Sequence, residues 1–242
     1  MFENPRPGYC IRGQFPLTMS PRPRWSAGLA VNGRSTGQAE SSTIQSINIL
    51  LTFSTILTFP NLPTSFETDR LVIRCPRSGD GPALFEATVD ALTDLRRFPA
   101  SMPWALETPS IDSSESFCLA GSVNFQARTD FPFLFIDKTS RIVVGGGGLH
   151  RPRWAVPVFE LGFWGRSSLV GQGLFSEAAN ALANYAFANF GAQRVEAICD
   201  DLNARSIRLC ERIGMQLEGV LRQERRAPDG SLRNTRIYSK LA

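Results

Sequence analysis

The sequence predicts an α+β domain in which helices flank a mixed, mostly antiparallel sheet. Three kinds of observation carry that prediction. Short apolar runs rich in β-branched and aromatic residues recur as strand candidates: Phe131–Ile136, Arg141–Gly145, Val156–Trp164 and Arg194–Cys199. Longer stretches with helical spacing fall between them, at 79–98, 173–190 and 203–213. Turn residues separate the two kinds, as at Asp137–Ser140, Gly191, Gly214 and Pro228–Gly230.

In chain order, Arg70–Arg74 alternates as a first strand. Gly79–Phe98 is a helix whose Leu84, Val89, Leu92 and Leu95 are expected to share one face, and Pro109 opens a second through Phe117, Leu119, Val123 and Phe125. Phe131–Ile136 and Arg141–Gly145 pair as a hairpin, and the glycine run Gly145–Gly148 leads out of it to His150. Val156–Trp164 is the next strand. After a glycine turn comes a helix over 173–190 with Ala178, Ala181, Leu182, Tyr185, Ala186 and Phe187 buried, ended by Gly191. Arg194–Cys199 is a strand, Asn203–Ile213 a short helix, and Met215–Leu221 closes with Thr235–Leu241 as a hairpin.

Composition narrows the function. Net charge is +4, and residues 1–60 carry +3 of it through five arginines against Glu3 and Glu40. The remainder is nearly neutral and lacks the basic stripe a nucleic-acid binder needs. The five cysteines are scattered without a CxxC spacing, which reads as reduced thiols in a cytoplasmic protein. With His150 the only histidine, no metal site is expected.

Residues 1–60 read as a disordered or non-native N-terminal extension, and 61–242 as the folded domain. Within the extension, Ile47–Phe59 is apolar but broken by Asn48, Thr52, Ser54, Thr55 and Thr58, and it is shorter than the roughly 20 residues of a membrane span. It also lies too far from the start for a signal peptide. No membrane partner is expected. Packing on the domain and a true start downstream of the stretch both stay open.

The most informative segment is Val170-Gly171-Gln172-Gly173-Leu174-Phe175, a glycine turn between a strand and an alanine-rich helix. Glycines let backbone N–H groups converge, and a helix N-terminus adds partial positive charge, so the segment reads as either a phosphate cradle or a plain strand-to-helix turn. Glu160 alternates with apolar Phe159 and Leu161. A carboxylate there either pairs with an arginine or lines a cleft with a pKa raised toward that of a usable base. His150 suits proton relay but equally a structural role. Asn203 reads as an N-cap or a ligand. Trp154 and Trp164 suit either a pocket wall or the core. Arg205, Arg208 and Arg212 read mostly as a solvated helix face, from which one could reach a nucleotide's phosphates.

As a set, five segments resemble the GNAT superfamily of N-acyltransferases, and specifically its RimJ/RimL-type branch. Phe66–Leu71 is similar to that branch's opening strand and Phe159–Trp164 to its Glu-Ile-Gly-Tyr-Trp strand. Gly171–Gly173 with Ser176–Ala178 resembles its pyrophosphate loop, and Asn203–Ser206 with Glu211–Met215 its C-terminal helix. Leu217–Arg222 completes the set. Val170 and Phe175 depart from the usual first and last loop residues.

The resemblance implies a GNAT-type α/β/α sandwich over 61–242 and acetyl-CoA as co-substrate. Phe163, Trp164 and Gly165 would hold the pantetheine arm, Val170 to Phe175 (Gly171, Gln172, Gly173 and Leu174 between) the pyrophosphate, with Asn203 also at the cofactor. Glu160 or His150 would take the amine's proton, with Glu196 as competitor, and Ser206 would protonate the departing thiolate. The partners implied are acetyl-CoA, an amine acceptor (a small molecule or a protein N-terminus) and, optionally, a homodimer. The rival from a different class is a non-catalytic acyl-CoA-binding module.

Overall fold

The computed structural model of the chain describes residues 62–242, so the extension and its apolar stretch Ile47–Phe59 lie outside the described residues. The strands are β1 (Ser65–Glu67), β2 (Leu71–Arg74), β3 (Phe131–Asp137), β4 (Val143–Arg153), β5 (Val158–Gly165), β6 (Arg194–Asp200), β7 (Gln216–Arg226) and β8 (Leu232–Leu241). The helices are α1 (Gly81–Leu95), α2 (Ile111–Ala127), α3 (Leu174–Phe190) and α4 (Ala204–Arg212). All eight strands join one sheet in the order β1-β2-β3-β4-β5-β6-β8-β7. Every neighbouring pair is antiparallel except β5–β6.

Strand alternation divides the core into two layers. Phe131, Phe133 and Phe159 stack with Tyr185 and Phe190 of α3 on one face. Leu134 and Val143 pack with Leu84 and Ala87 of α1 and Cys118 of α2. Because Phe133 and Leu134 point to opposite faces, α1 and α2 cover one side and α3 the other, which is the α/β/α sandwich expected. The four described cysteines are free.

Several boundaries differ from the sequence reading, each for a physical reason. Phe66–Leu71 is not one opening strand: β1 and β2 are antiparallel partners, and the turn between them carries Thr68, Asp69 and Arg70. In α1 the buried line is Leu84, Ala87, Thr88, Ala91 and Leu95, and Val89 is exposed. In α2 it is Ser114, Cys118, Gly121 and Phe125, with Leu119 and Val123 exposed. Small residues serve as contacts within both buried lines, as at Gly121, where a Cβ would lie 2.9 Å from the Pro132 ring, so hydrophobicity alone misplaces the faces.

The glycine run belongs to the interior of β4. A Cβ on Gly145 would lie 2.3 Å from the Trp164 carbonyl oxygen, and one on Gly147 would lie 2.4 Å from that of Gly162. These glycines mark a close approach of β4 to β5, so the run that the sequence places after the hairpin is itself strand. The closing hairpin is longer than expected because β7 continues to Arg226 through register shifts after Leu217 and Leu221.

The β5–β6 pair positions the site. It is registered at Val158–Arg194, Phe159–Val195 and Glu160–Glu196 only. Beyond Glu160 the strands diverge, while β6 stays paired with β8 as far as Asp200. The second half of β5 therefore keeps one backbone edge unpaired inside the domain.

Candidate active site

A cavity of about 740 Å³ occupies the divergence. Its walls include Phe163, Trp164 and Gly165 of β5, Cys199 of β6, Val170, Gly171, Gly173 and Phe175 of the glycine turn, and Asn203 and Ser206 at the start of α4. Nine of the fourteen residues given a site role in the sequence thus meet on one surface. Buried backbone groups need partners, so an unpaired strand edge facing a cavity of this size suits an extended, amide-containing ligand.

The glycine turn is held from two directions. From α1, Asp90 accepts hydrogen bonds from the Ser168 backbone N–H and hydroxyl at 3.1 and 2.6 Å, and Asp94 accepts from the Ser167 hydroxyl at 2.7 Å. From the β1–β2 turn, Arg70 Nη1 donates to the Gln172 carbonyl at 2.8 Å, and its Nε donates to Glu177 at 2.7 Å. Glu177, in the first turn of α3, also accepts from the Arg70 backbone N–H and the Thr68 hydroxyl. Partial burial would raise the Glu177 pKa, but these bonds and the Arg70 charge outweigh it and hold the carboxyl below its ordinary value.

Within the turn, Gly171 and Gly173 adopt φ of +91° and +79°, a left-handed backbone that other residues populate at a cost. A Cβ on Gly171 would meet nothing within 4 Å, so the space before α3 is open. Phe175 is accommodated by Gly165: a Cβ there would fall 2.0 Å from its ring. The bulky residue in the loop and the glycine that ends β5 form one packing pair. Gln172 and Leu174 lie outside the cavity wall, with Leu174 a core residue at 5% exposure.

At α4, Asn203 accepts a hydrogen bond from the Ser206 backbone N–H at 3.1 Å, so it is the N-cap. That bond fixes the first turn and holds Ser206 at the cavity. Arg205, Arg208 and Arg212 also line the cavity, and Arg205 ion-pairs with Asp94 at 2.7 Å. Trp164 lies in the cavity wall, whereas Trp154 packs against Phe131, Phe159 and Phe190.

Glu160 and His150 stand deeper. They are register partners on β5 and β4. Glu160 is 3% exposed; its Oε2 accepts from Arg151 at 2.7 Å, and its Oε1 is sealed without a partner. Arg151 reaches it from a left-handed position (φ +49°) beside a register shift in β4. Burial pushes the Glu160 pKa up to about 6, against the lowering pull of Arg151 and His150. His150 is 7% exposed and lines a small chamber with Gly146, Gly147 and Gly162; Phe163 and Trp164 wall both this chamber and the large cavity. Glu196 is held by Arg153 at 2.9 Å and Arg194 at 3.2 Å.

The raised pKa makes Glu160 a source of pH-dependent stability. A folded pKa of about 6 against 4.5 means the native state binds the proton more tightly, so stability present below pH 4.5 is lost as pH rises through 6. Glu160→Gln removes that dependence. Denaturant unfolding at pH 7 is expected to show the variant relatively more stable than at pH 4.5, by at most about 2 kcal/mol. Equal differences at both pH values would mean that Glu160 is not strained by burial.

Comparison with known proteins agrees with this architecture. The Acetyltransferase (GNAT) domain family matches residues 70–216. An uncharacterised N-acetyltransferase of Bacillus subtilis (strain 168), YoaA, is 26% identical over 174 residues, which cover 72% of this chain and 94% of the relative. Among solved structures, a microcin self-immunity acetyltransferase, MccE, in complex with acetyl-CoA and AMP superposes with a TM-score of 0.64 at 22% identity, covering 74% of this chain and 97% of its own. A ribosomal-protein α-N-acetyltransferase, RimL, in complex with coenzyme A has a TM-score of 0.65 at 18% identity, with 74% and 97% covered. With the family match spanning more than half its length and the diverging β5–β6 pair at its centre, the chain belongs to the GNAT acetyltransferase family.

Proposed function

We propose that the protein transfers the acetyl group of acetyl-CoA to a primary amine, in the manner of the RimJ/RimL-type branch. The observation that carries this reading is the unpaired half of β5 opening onto the 740 Å³ cavity, with the glycine turn and α3 N-terminus at the same cavity. The pantetheine amides would extend the sheet along Phe163–Gly165. The pyrophosphate would accept backbone N–H bonds at Gly171–Phe175, and α4 arginines stand near for the remaining phosphate.

Acetyl transfer from a thioester requires the amine to lose a proton and the sulfur to gain one. In this reading Ser206 donates to the departing thiolate. His150 is the base, and the Glu160 carboxylate, sealed from the chamber, acts on it through its charge alone. Phe163 and Trp164 keep water from the reacting centre, which strengthens each polar interaction there.

Thermal-shift and calorimetric titration with acetyl-CoA, longer acyl-CoAs and ATP tests the binding half. Acetyl-CoA is expected to raise the melting temperature by mass action, and ATP is not. A thiol-release assay over small amines and N-terminal peptides tests the transfer half. Tight acetyl-CoA binding with no amine acetylated would favour the non-catalytic acyl-CoA-binding module.

A further inference from the structure

The sheet register aligns a row of ionisable side chains across its centre. Phe131 pairs with Leu149, so Asp130, immediately before β3, falls opposite His150. His150 pairs with Glu160, and Glu160 with Glu196. Cross-strand partners share a face, so the row lies on the α1–α2 side, where Gly146 and Trp164 also point. Within it the Asp130 carboxylate and His150 Nδ1 are 2.7 Å apart, and Asp130 retains 21% side-chain exposure while the imidazole is buried. The ring lies over Gly148: a Cβ there would meet its Cε1 at 2.6 Å and Nε2 at 2.8 Å. A glycine seat on one side and a carboxylate at Nδ1 fix the imidazole in one orientation.

From this geometry we infer that Asp130 is a positioning residue: it holds His150 as the Nδ1–H tautomer and so leaves Nε2 as the proton-accepting nitrogen at the chamber shared with Phe163 and Trp164. The inference deepens the proposed acetyl transfer and rests on it. The step balances simply. The amine's proton passes to Nε2, the imidazolium is stabilised by the Asp130 carboxylate, and the proton leaves to solvent as the ring returns to neutral.

The charges around the ring are Asp130, Glu160 and Arg151. Burial pulls His150 toward neutrality, but the charge and hydrogen bond of Asp130, with the charge of Glu160, outweigh burial and Arg151, and its pKa stands above the ordinary value. Glu160 in turn feels Glu196 and Arg225.

His150 is the only histidine in the chain, so imidazole NMR of the untagged protein reads this site alone. The expected spectrum shows the Nδ1–H tautomer in the neutral ring. Asp130→Asn keeps an acceptor but removes the charge, so the His150 pKa falls; Asp130→Ala also releases the tautomer. On a confirmed acceptor, Asp130→Ala is expected to lower kcat about 10²-fold with little change in KM for acetyl-CoA. The acidic limb of the pH–rate profile should move to lower pH in Asp130→Asn. An Nε2–H ring in the parent, or a His150 pKa unmoved in Asp130→Asn, would overturn the positioning. An unmoved acidic limb beside a shifted His150 pKa would reduce the contact to a structural one. Failure to bind acetyl-CoA, with the NMR results as expected, would instead defeat the proposed function.

Discussion

Replacing Ser206 by alanine is expected to lower turnover about 10²–10⁴-fold while acetyl-CoA affinity stays within a few-fold of the parent's. The asymmetry follows from where the side chain sits. The first turn of α4 is held by the Asn203 cap, which bonds the Ser206 backbone N–H and not its hydroxyl. Alanine leaves that bond intact and is a better helix former, so fold and cavity shape persist. What disappears is a hydroxyl at the cavity wall, which matters when sulfur leaves with a negative charge. Steady-state kinetics on a confirmed acceptor beside calorimetric affinity separates the two effects. Equal losses in kcat and affinity would place Ser206 in ground-state binding. Full activity would remove it from the chemistry.

Gly173→Val is expected to weaken acetyl-CoA binding at least about 10-fold. Inside the protein a Cβ at this position meets only the Arg70 guanidinium, at 3.4 Å, so the penalty is not a core clash. It comes from φ of +79°, where a β-branched residue is strained by about 1–3 kcal/mol. The turn would relieve that strain by moving, and moving it disturbs the N–H groups at the N-terminus of α3. The Arg70 bond to the Gln172 carbonyl resists the same movement. Calorimetry on folded variant measures the loss, and circular dichroism shows that α3 remains. Unchanged affinity would take the turn out of phosphate binding.

Much of this site was legible in the sequence because its strongest signals are local. Gly171 and Gly173, the Asn203 cap and the strand Phe159–Trp164 each announce themselves within a few residues, and all meet at the cavity. The remainder depends on register. Nothing near Asp130 points to His150 or Glu160; the three are brought into line by the pairing of β3, β4 and β5. The Gly145–Gly148 run is the converse case. Its residues read as the way out of the hairpin because glycine is a weak strand former, and they form a strand because the backbone of β5 allows no Cβ. The helix faces were misplaced where Ala87, Ala91, Ser114 and Gly121 serve as contact residues and larger apolar side chains face water.

The crowded glycines of β4 also set the terms for engineering a hardier protein. Swapping glycine for alanine usually gains stability by restricting the unfolded chain, but only where the native backbone accepts a methyl group. In the middle of this sheet that route is closed, since Gly145 and Gly147 would each drive a methyl into a neighbouring carbonyl. Gly219 on β7 has open space around it and no left-handed backbone. Directed evolution for heat tolerance should therefore collect its glycine replacements on the outer hairpin and leave the centre of the sheet untouched.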